Sequence, residues 1–170
     1  KSLNTVAWQV YEQVTPKVGL QYLKNMNFSS IVKDDYTLAT SLGGFTKGVS
    51  PLEMASAYAA LENDGMFRQP NCIKSIVDAD ENVVYSSQMA EVSIYEKDAT
   101  RTMTDVLTTV MDSGTGAALK LSNMPCAGKT GTTNDHKDGW FVGYTRYYTT
   151  SVWVGCDYPK SISNLSGSTY

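Results

Sequence analysis

Residues 126–156 read CAGKTGTTNDHKDGWFVGYTRYYTTSVWVGC, and this stretch decides the fold class. It contains three strand-like runs, Cys126–Thr133, Gly139–Tyr144 and Tyr147–Cys156. Because only short connections separate the runs, we expect three neighbouring antiparallel strands. The second and third runs contain consecutive apolar residues (WFV and VWV), which predicts central strands covered by helices on both faces.

Helix signals fill the first third of the chain. One helix is expected directly after Ser2-Leu3-Asn4, and a second begins at Pro16, because proline suits the first turn of a helix. A third is expected to begin at Ser50 and Glu53, which can each accept a hydrogen bond from the other's backbone amide in a capping box. Asp64-Gly65 provides a left-handed stop for this helix.

A fourth helix is predicted between a hairpin and the sheet. Its start is assigned to a second capping box, made by Ser93 and Glu96. The hairpin pairs Cys72–Val77 with Val83–Tyr85. The helix carries one apolar stripe, made of Met103, Val106, Leu107, Val110 and Met111. Helices followed by an antiparallel sheet define an α+β fold.

Composition excludes several classes of protein. The chain has 170 residues, 42% of them hydrophobic, and a net charge of −3, which argues for a packed core and against a nucleic-acid surface. No run approaches the roughly 18 apolar residues of a membrane span, so no membrane contact is expected from this segment. Three separated cysteines and one histidine make no metal site, and no cofactor is expected; a disulfide stays open. The domain is assigned to residues 1–158, and the Ser-rich residues 159–170 are interpreted as a linker or tail.

The Lys129-Thr130-Gly131-Thr132 segment carries the clearest chemistry. Gly131 has no side chain, so an extended peptide can lie against the backbone there. The hydroxyls of Thr130 and Thr132 can hold a carboxylate, and Lys129 supplies positive charge for it. The alternative is an ordinary edge strand with a lysine on its solvent side.

Ser2 and Asn4 form a second candidate motif, two residues apart at the entrance of a helix. Both can project into one cleft, where the Ser2 hydroxyl relays a proton and the Asn4 amide binds a substrate carbonyl. The alternative is structural, because serine is also a common N-cap residue.

Together these motifs resemble the second and third motifs of penicillin-binding proteins. KSLNTVA at residues 1–7, SPLEMASAYAALENDG at 50–65, GTG at 114–116 and VWVGCD at 152–157 are similar, in the same order, to the bifunctional class A members. The resemblance implies a β-lactamase/transpeptidase-like fold, with an antiparallel sheet flanked by helices and incomplete in this chain. It also implies an extracytoplasmic location on the cell-wall side of the bacterial membrane, with the anchor in another segment.

The resemblance further implies a peptidoglycan D,D-transpeptidase inhibited by β-lactams. Ser2 and Lys129 would transfer protons, and Asn4 would orient the stem peptide. Thr130 and Thr132 would bind the terminal carboxylate of D-alanyl-D-alanine or of a β-lactam, and the Thr132 backbone N–H would be an oxyanion-hole donor.

The nucleophile that this chemistry needs is expected outside this chain. In the family it comes from an S-x-x-K motif that precedes S-x-N, and this chain begins at S-x-N. Ser30-Ile31-Val32-Lys33 matches the S-x-x-K pattern but follows S-x-N, so we interpret it as a chance match. The expected partner is therefore the N-terminal half of the same domain.

Two alternatives stay open on the sequence. Water as acceptor would make the protein a D,D-carboxypeptidase or a β-lactamase-like hydrolase. A protein without the nucleophile would be a non-catalytic penicillin-binding or scaffold module.

Overall fold

A computed structural model describes residues 2–169, and Lys1 and Tyr170, at the ends of the predicted domain and tail, lie outside the described residues. Within residues 2–169, four α-helices and seven strands follow one another in an α+β order, which confirms the predicted fold class. The elements are α1 Asn4–Val14, α2 Pro16–Asn25, α3 Pro51–Glu62, β1 Met66–Arg68, β2 Ser75–Val77, β3 Val83–Ser86, β4 Glu91–Ser93, α4 Lys97–Ser113, β5 Ala127–Thr132, β6 Gly139–Tyr144 and β7 Thr149–Val154.

The main sheet has three antiparallel strands in the order β5-β6-β7, as predicted. Lys129 is paired with Val142, and Val142 with Ser151, which defines the register of the three strands. The edge position of β5 leaves one side of the Lys-Thr-Gly segment without a neighbouring strand in the described chain.

The expected helical cover is present on one face of this sheet. Ala127 and Tyr144 are buried there with Leu107 of α4, and Tyr58 of α3 packs against them. On the opposite face, Val152 remains 38% exposed. The prediction that helices cover both faces is therefore wrong for residues 2–169, and β7 is an edge strand rather than a central one.

Helix α3 begins with the predicted capping box. Ser50 Oγ accepts from the backbone N–H of Glu53 at 3.2 Å, and Glu53 Oε2 accepts from the backbone N–H of Ser50 at 2.8 Å. Asp64 and Gly65 take positive φ angles of 51° and 91°, as a left-handed stop requires. The helix buries Ala57 and Ala60 in a second core with Met26, Phe28 and Phe67.

Helix α4 does not begin with the predicted Ser93–Glu96 capping box. Ser93 is the last residue of β4 and is paired with Met66 of β1, while Glu96 is the N-cap and makes no side-chain capping bond. The apolar stripe is only partly buried: Leu107, Val110 and Met111 are in the core, but Met103 and Val106 are exposed. The β1–β4 pair was not predicted from sequence, whereas the β2–β3 hairpin was.

The Ser-rich tail is packed rather than frayed. Leu165 is 1% exposed, and the backbone N–H of Ile162 donates to the carbonyl of His136 at 2.9 Å. Burial of Leu165 anchors the segment despite its polar composition. Within residues 2–169 the three cysteines are free thiols, no helix is long and apolar enough to span a membrane, and no three metal-ligating side chains are grouped together.

Candidate active site

Lys129 and Ser2 meet, although they are 127 residues apart in the sequence. Lys129 Nζ donates to Ser2 Oγ at 3.0 Å. The lysine lies in the middle of edge strand β5, and Ser2 lies two residues before helix α1. The structure therefore brings together the two residues predicted to transfer protons.

Helix α1 is held in place by the segment that follows α2. It packs against a short 3₁₀ helix, Leu38–Leu42, and Thr40 Oγ1 lies within hydrogen-bond distance of Tyr11 Oη of α1, at 3.2 Å. Asn4 is the first residue of α1 and is exposed. Within residues 2–169, no side-chain hydrogen bond joins Asn4 to β5, so its predicted contact with a substrate carbonyl stays a prediction.

Partial burial changes the acid–base character of Lys129. Desolvation lowers the pKa of its ammonium group, because burial disfavours the charged form. The ammonium also donates to the neighbouring carbonyl of Thr130, which fixes its direction along the strand. A lysine with a lowered pKa, bonded to a serine hydroxyl, can exchange a proton with that hydroxyl at lower cost than an exposed lysine can.

Thr130 and Thr132 project to the opposite face of the sheet from Lys129, because side chains alternate along a strand. Thr130 is 9% exposed, and its Oγ1 lies 2.7 Å from Thr115 Oγ1. Thr132 is exposed, and its Oγ1 accepts from the backbone N–H of Gly167 at 3.0 Å. β5 is an edge strand in the described chain, so its backbone has no neighbouring strand on one side.

Gly131 leaves an open surface beside the strand. A Cβ atom built on Gly131 would meet only the side chain of its neighbour Trp140, at 3.2 Å from Cβ. An extended peptide can therefore approach the backbone at Gly131 without meeting a side chain of that residue.

The Ser30–Lys33 string does not form an S-x-x-K helix. Ser30 lies in an irregular segment, and Lys33 begins a separate three-residue 3₁₀ helix, Lys33–Asp35. A serine nucleophile needs its lysine on the next turn of one α-helix, so this geometry agrees with its interpretation as a chance match.

Two residues of this region were not predicted from the sequence. Thr115 belongs to the GTG segment that carries part of the resemblance, but no role was assigned to it. Gly167 lies in the tail, where no sequence pattern pointed to the site. Both contact a threonine of strand β5.

Comparison with known proteins places the chain in a family. A family model described as the penicillin binding protein transpeptidase domain matches residues 1–160. The chain is 35% identical to Penicillin-binding protein 4 of Bacillus subtilis (strain 168) over 164 residues, covering 96% of this chain and 26% of that protein. It is 36% identical to Penicillin-binding protein 1A of Aquifex aeolicus (strain VF5) over 168 residues, covering 98% of this chain and 22% of that protein.

The fold matches as well. The crystal structure of Penicillin-Binding Protein 1A from Haemophilus influenzae superposes with a TM-score of 0.81 at 20% identity, covering 99% of this chain and 31% of that chain. The chain therefore belongs to the family of penicillin-binding protein transpeptidase domains, and both the predicted resemblance and the predicted fold are confirmed. It spans about a quarter of the length of the curated relatives that it matches.

Proposed function

We propose that this chain is the C-terminal part of a peptidoglycan D,D-transpeptidase domain that works through a serine acyl-enzyme. The hydrogen bond between Lys129 and Ser2 carries the proposal, because it joins two separate sequence motifs into one proton-transfer pair. The family match supports the same chemistry. β-Lactams would act on this domain as substrate mimics that acylate the serine.

The reaction has two acyl-transfer steps. The nucleophilic serine gives its proton to the lysine of its own S-x-x-K motif and attacks the carbonyl of the penultimate D-alanine. The C–N bond then breaks, and the terminal D-alanine leaves as an amine that needs a proton. The Ser2 hydroxyl gives this proton, and Lys129, bonded to it at 3.0 Å, replaces it. The amine of another stem peptide then attacks the ester and passes its proton through Ser2 back to Lys129, while the lysine of S-x-x-K returns its proton to the departing serine.

The strand would hold the substrate during both steps. The stem peptide lies beside Gly131, where the surface is open, and its terminal carboxylate accepts hydrogen bonds from the hydroxyls of Thr130 and Thr132. Asn4 orients the peptide from the start of α1. The backbone N–H of Thr132 donates to the oxyanion that develops in the tetrahedral intermediate.

An exposed apolar surface on helix α1 supports the proposal that a companion segment carries the nucleophile. Helix α1 has no buried residue in the described chain, and Leu3, Val6 and Val10 are 50–55% exposed. A soluble helix ordinarily buries its apolar side, so this surface suits packing against more of the same domain. We infer that the N-terminal half, with its S-x-x-K serine, covers it, and that the whole protein acts on the cell-wall side of the membrane, anchored by another segment.

Labelling with fluorescent penicillin tests this proposal. The complete domain, shown to be folded by circular dichroism, is expected to become covalently labelled, and the 170-residue chain alone is expected to remain unlabelled. The Ser30→Ala variant of the complete domain is expected to label like the unmodified protein. A folded complete domain that stays unlabelled would contradict the proposal.

The lifetime of the label separates transfer from hydrolysis. A transpeptidase is expected to hold the penicilloyl group for much longer than one catalytic turnover takes, because water is not its acceptor. Rapid loss of the label, with regeneration of free enzyme, would instead indicate a hydrolase.

A further inference from the structure

Both carboxylate-binding hydroxyls of the substrate strand are contacted by residues outside the strand. Thr130 Oγ1 lies 2.7 Å from Thr115 Oγ1, which precedes it by 15 residues. Thr132 Oγ1 accepts from the backbone N–H of Gly167 at 3.0 Å, 35 residues further along the chain. The proton-transfer pair of Ser2 and Lys129 includes neither of these contacts.

The tail that carries Gly167 is firmly docked. A Cβ atom on Gly139 would lie 2.9 Å from Leu165 Cδ1, so the leucine packs directly on the strand β6 backbone. His136 Nδ1 lies 2.8 Å from the carbonyl oxygen of Leu165, and the N–H of Ile162 donates to the carbonyl of His136 at 2.9 Å. These contacts fix the tail on both sides of the β5–β6 turn.

Gly167 lies against the backbone of two strands, where no side chain fits. A Cβ atom there would collide with the backbone oxygens of Gly131 and Trp140. By contrast, a Cβ atom on Gly131 would meet only Trp140 and no atom of the tail. The tail therefore lies on the face of the sheet to which Thr130 and Thr132 project, opposite the surface that Gly131 leaves open.

These contacts limit how the two hydroxyl hydrogens can be placed. A threonine hydroxyl donates one hydrogen bond and accepts up to two. Because Thr132 Oγ1 accepts from Gly167, its own hydrogen is left to donate to a ligand. Thr130 can donate to a ligand only while Thr115 donates to it, and a hydroxyl that accepts one bond donates a second more strongly, by about 10–30%.

We propose that Thr115 and Gly167 are positioning residues that orient the Thr130 and Thr132 hydroxyls for the substrate carboxylate. The proposal rests on the function proposed above. It assigns to the GTG segment and to the tail a direct influence on carboxylate recognition. Neither residue touches the substrate; each acts through one threonine.

The test compares acylation of the complete domain by a penicillin and by its uncharged methyl ester. Thr115→Val removes the hydroxyl at nearly constant shape, and acylation by the acid is expected to fall about 3- to 10-fold while the ester rate changes less than 2-fold. Thr115→Ser is expected to restore the acid rate. Gly167→Ala is expected to lower the acid-to-ester ratio at least as much.

Two control variants and one double variant distinguish a positioning role from a general loss of structure. Thr109→Val on exposed helix surface and Ser163→Ala in the exposed part of the tail are expected to leave the ratio unchanged. The double variant Thr115→Val with Thr130→Val is expected to be no slower than Thr130→Val alone. Equal loss with acid and ester, or a faster reaction of Thr115→Val, would overturn the inference. An unlabelled, folded parent domain would overturn the proposed function and the inference together.

Discussion

Asp35 connects the two ends of the segment that supports helix α1. Its side chain is 1% exposed and accepts three hydrogen bonds. The backbone N–H of Val32 donates at 2.8 Å, and the backbone N–H and the hydroxyl of Thr46 each donate at 2.7 Å. The 3₁₀ helix Leu38–Leu42, on which α1 packs, lies between these anchors. Loss of this carboxylate should therefore destabilise the domain and loosen α1.

The size of the loss follows from the unpaired donors. Asp35→Ala leaves two backbone N–H groups without partners, and each costs about 1–3 kcal/mol, so we expect about 2–6 kcal/mol. Asp35→Asn keeps an oxygen for Thr46 but turns an amide NH₂ toward the Val32 N–H, and about half of that loss is expected. Asp34→Ala, at the exposed neighbouring position, is the matched control and should stay within about 0.5 kcal/mol.

The pH dependence gives an independent check. Hydrogen bonds from the backbone of Thr46 and Val32 hold the pKa of Asp35 below its usual value. Its stabilisation is therefore present above the unfolded-state pKa of about 3.9 and is lost as pH falls through the lower folded-state pKa. Urea unfolding of the complete domain should show a difference in the free energy of unfolding between the parent and Asp35→Asn. This difference should be constant near neutral pH and should shrink below about pH 4. An Asp35→Ala variant as stable as the parent, or a difference that widens in acid, would refute the reasoning.

Three further predictions concern the site and its supports. Burial lowers the pKa of Lys129, so acylation that depends on its ammonium should begin to fall, as pH rises, before the ordinary lysine pKa of about 10.4 is reached. Lys129→Arg should move that fall to higher pH, and an unchanged pH profile would count against this role. Leu165→Ala should cost about 2–5 kcal/mol in urea unfolding, and a cost below about 1 kcal/mol would mean that the tail is not docked. Ser50→Ala should cost about 1 kcal/mol by the same measurement, and no loss would contradict the capping box.

The sheet was predictable because its signals are local. Glycine and polar residues separate three runs of aromatic and β-branched residues, so the strands and their antiparallel order follow from short connections. The capping box at Ser50 was predictable for the same reason, since both partners lie within one turn of the helix.

The failed predictions depend on distant contacts. Ser93 and Glu96 have the spacing of a capping box, but pairing of Ser93 with Met66 extends the chain there, and this pairing has no local signal. The WFV and VWV runs predicted cover on both faces, yet the described chain supplies helices for one face only. The docking of the tail through Leu165 likewise has no local signal in the sequence.

The candidate site was predictable only in part. The resemblance identified Ser2 and Lys129, and the structure supplies the 3.0 Å contact between them. The sequence identified the hydroxyls of Thr130 and Thr132 as candidates, but their partners Thr115 and Gly167 come from separate segments that meet only in the folded chain. No spacing rule relates a tail glycine to a strand 35 residues earlier.

A double-mutant cycle on the proton-transfer pair tests whether Ser2 and Lys129 work as one relay. The acylation rate of the complete domain with labelled penicillin would be measured for Ser2→Ala, Lys129→Ala and the double variant, each checked for folding. If the two residues act as one relay, each single change should lower the rate about 10²- to 10⁴-fold, and the double variant should be little slower than the slower single variant. Losses that multiply in the double variant would show that Ser2 and Lys129 act independently and would contradict the account.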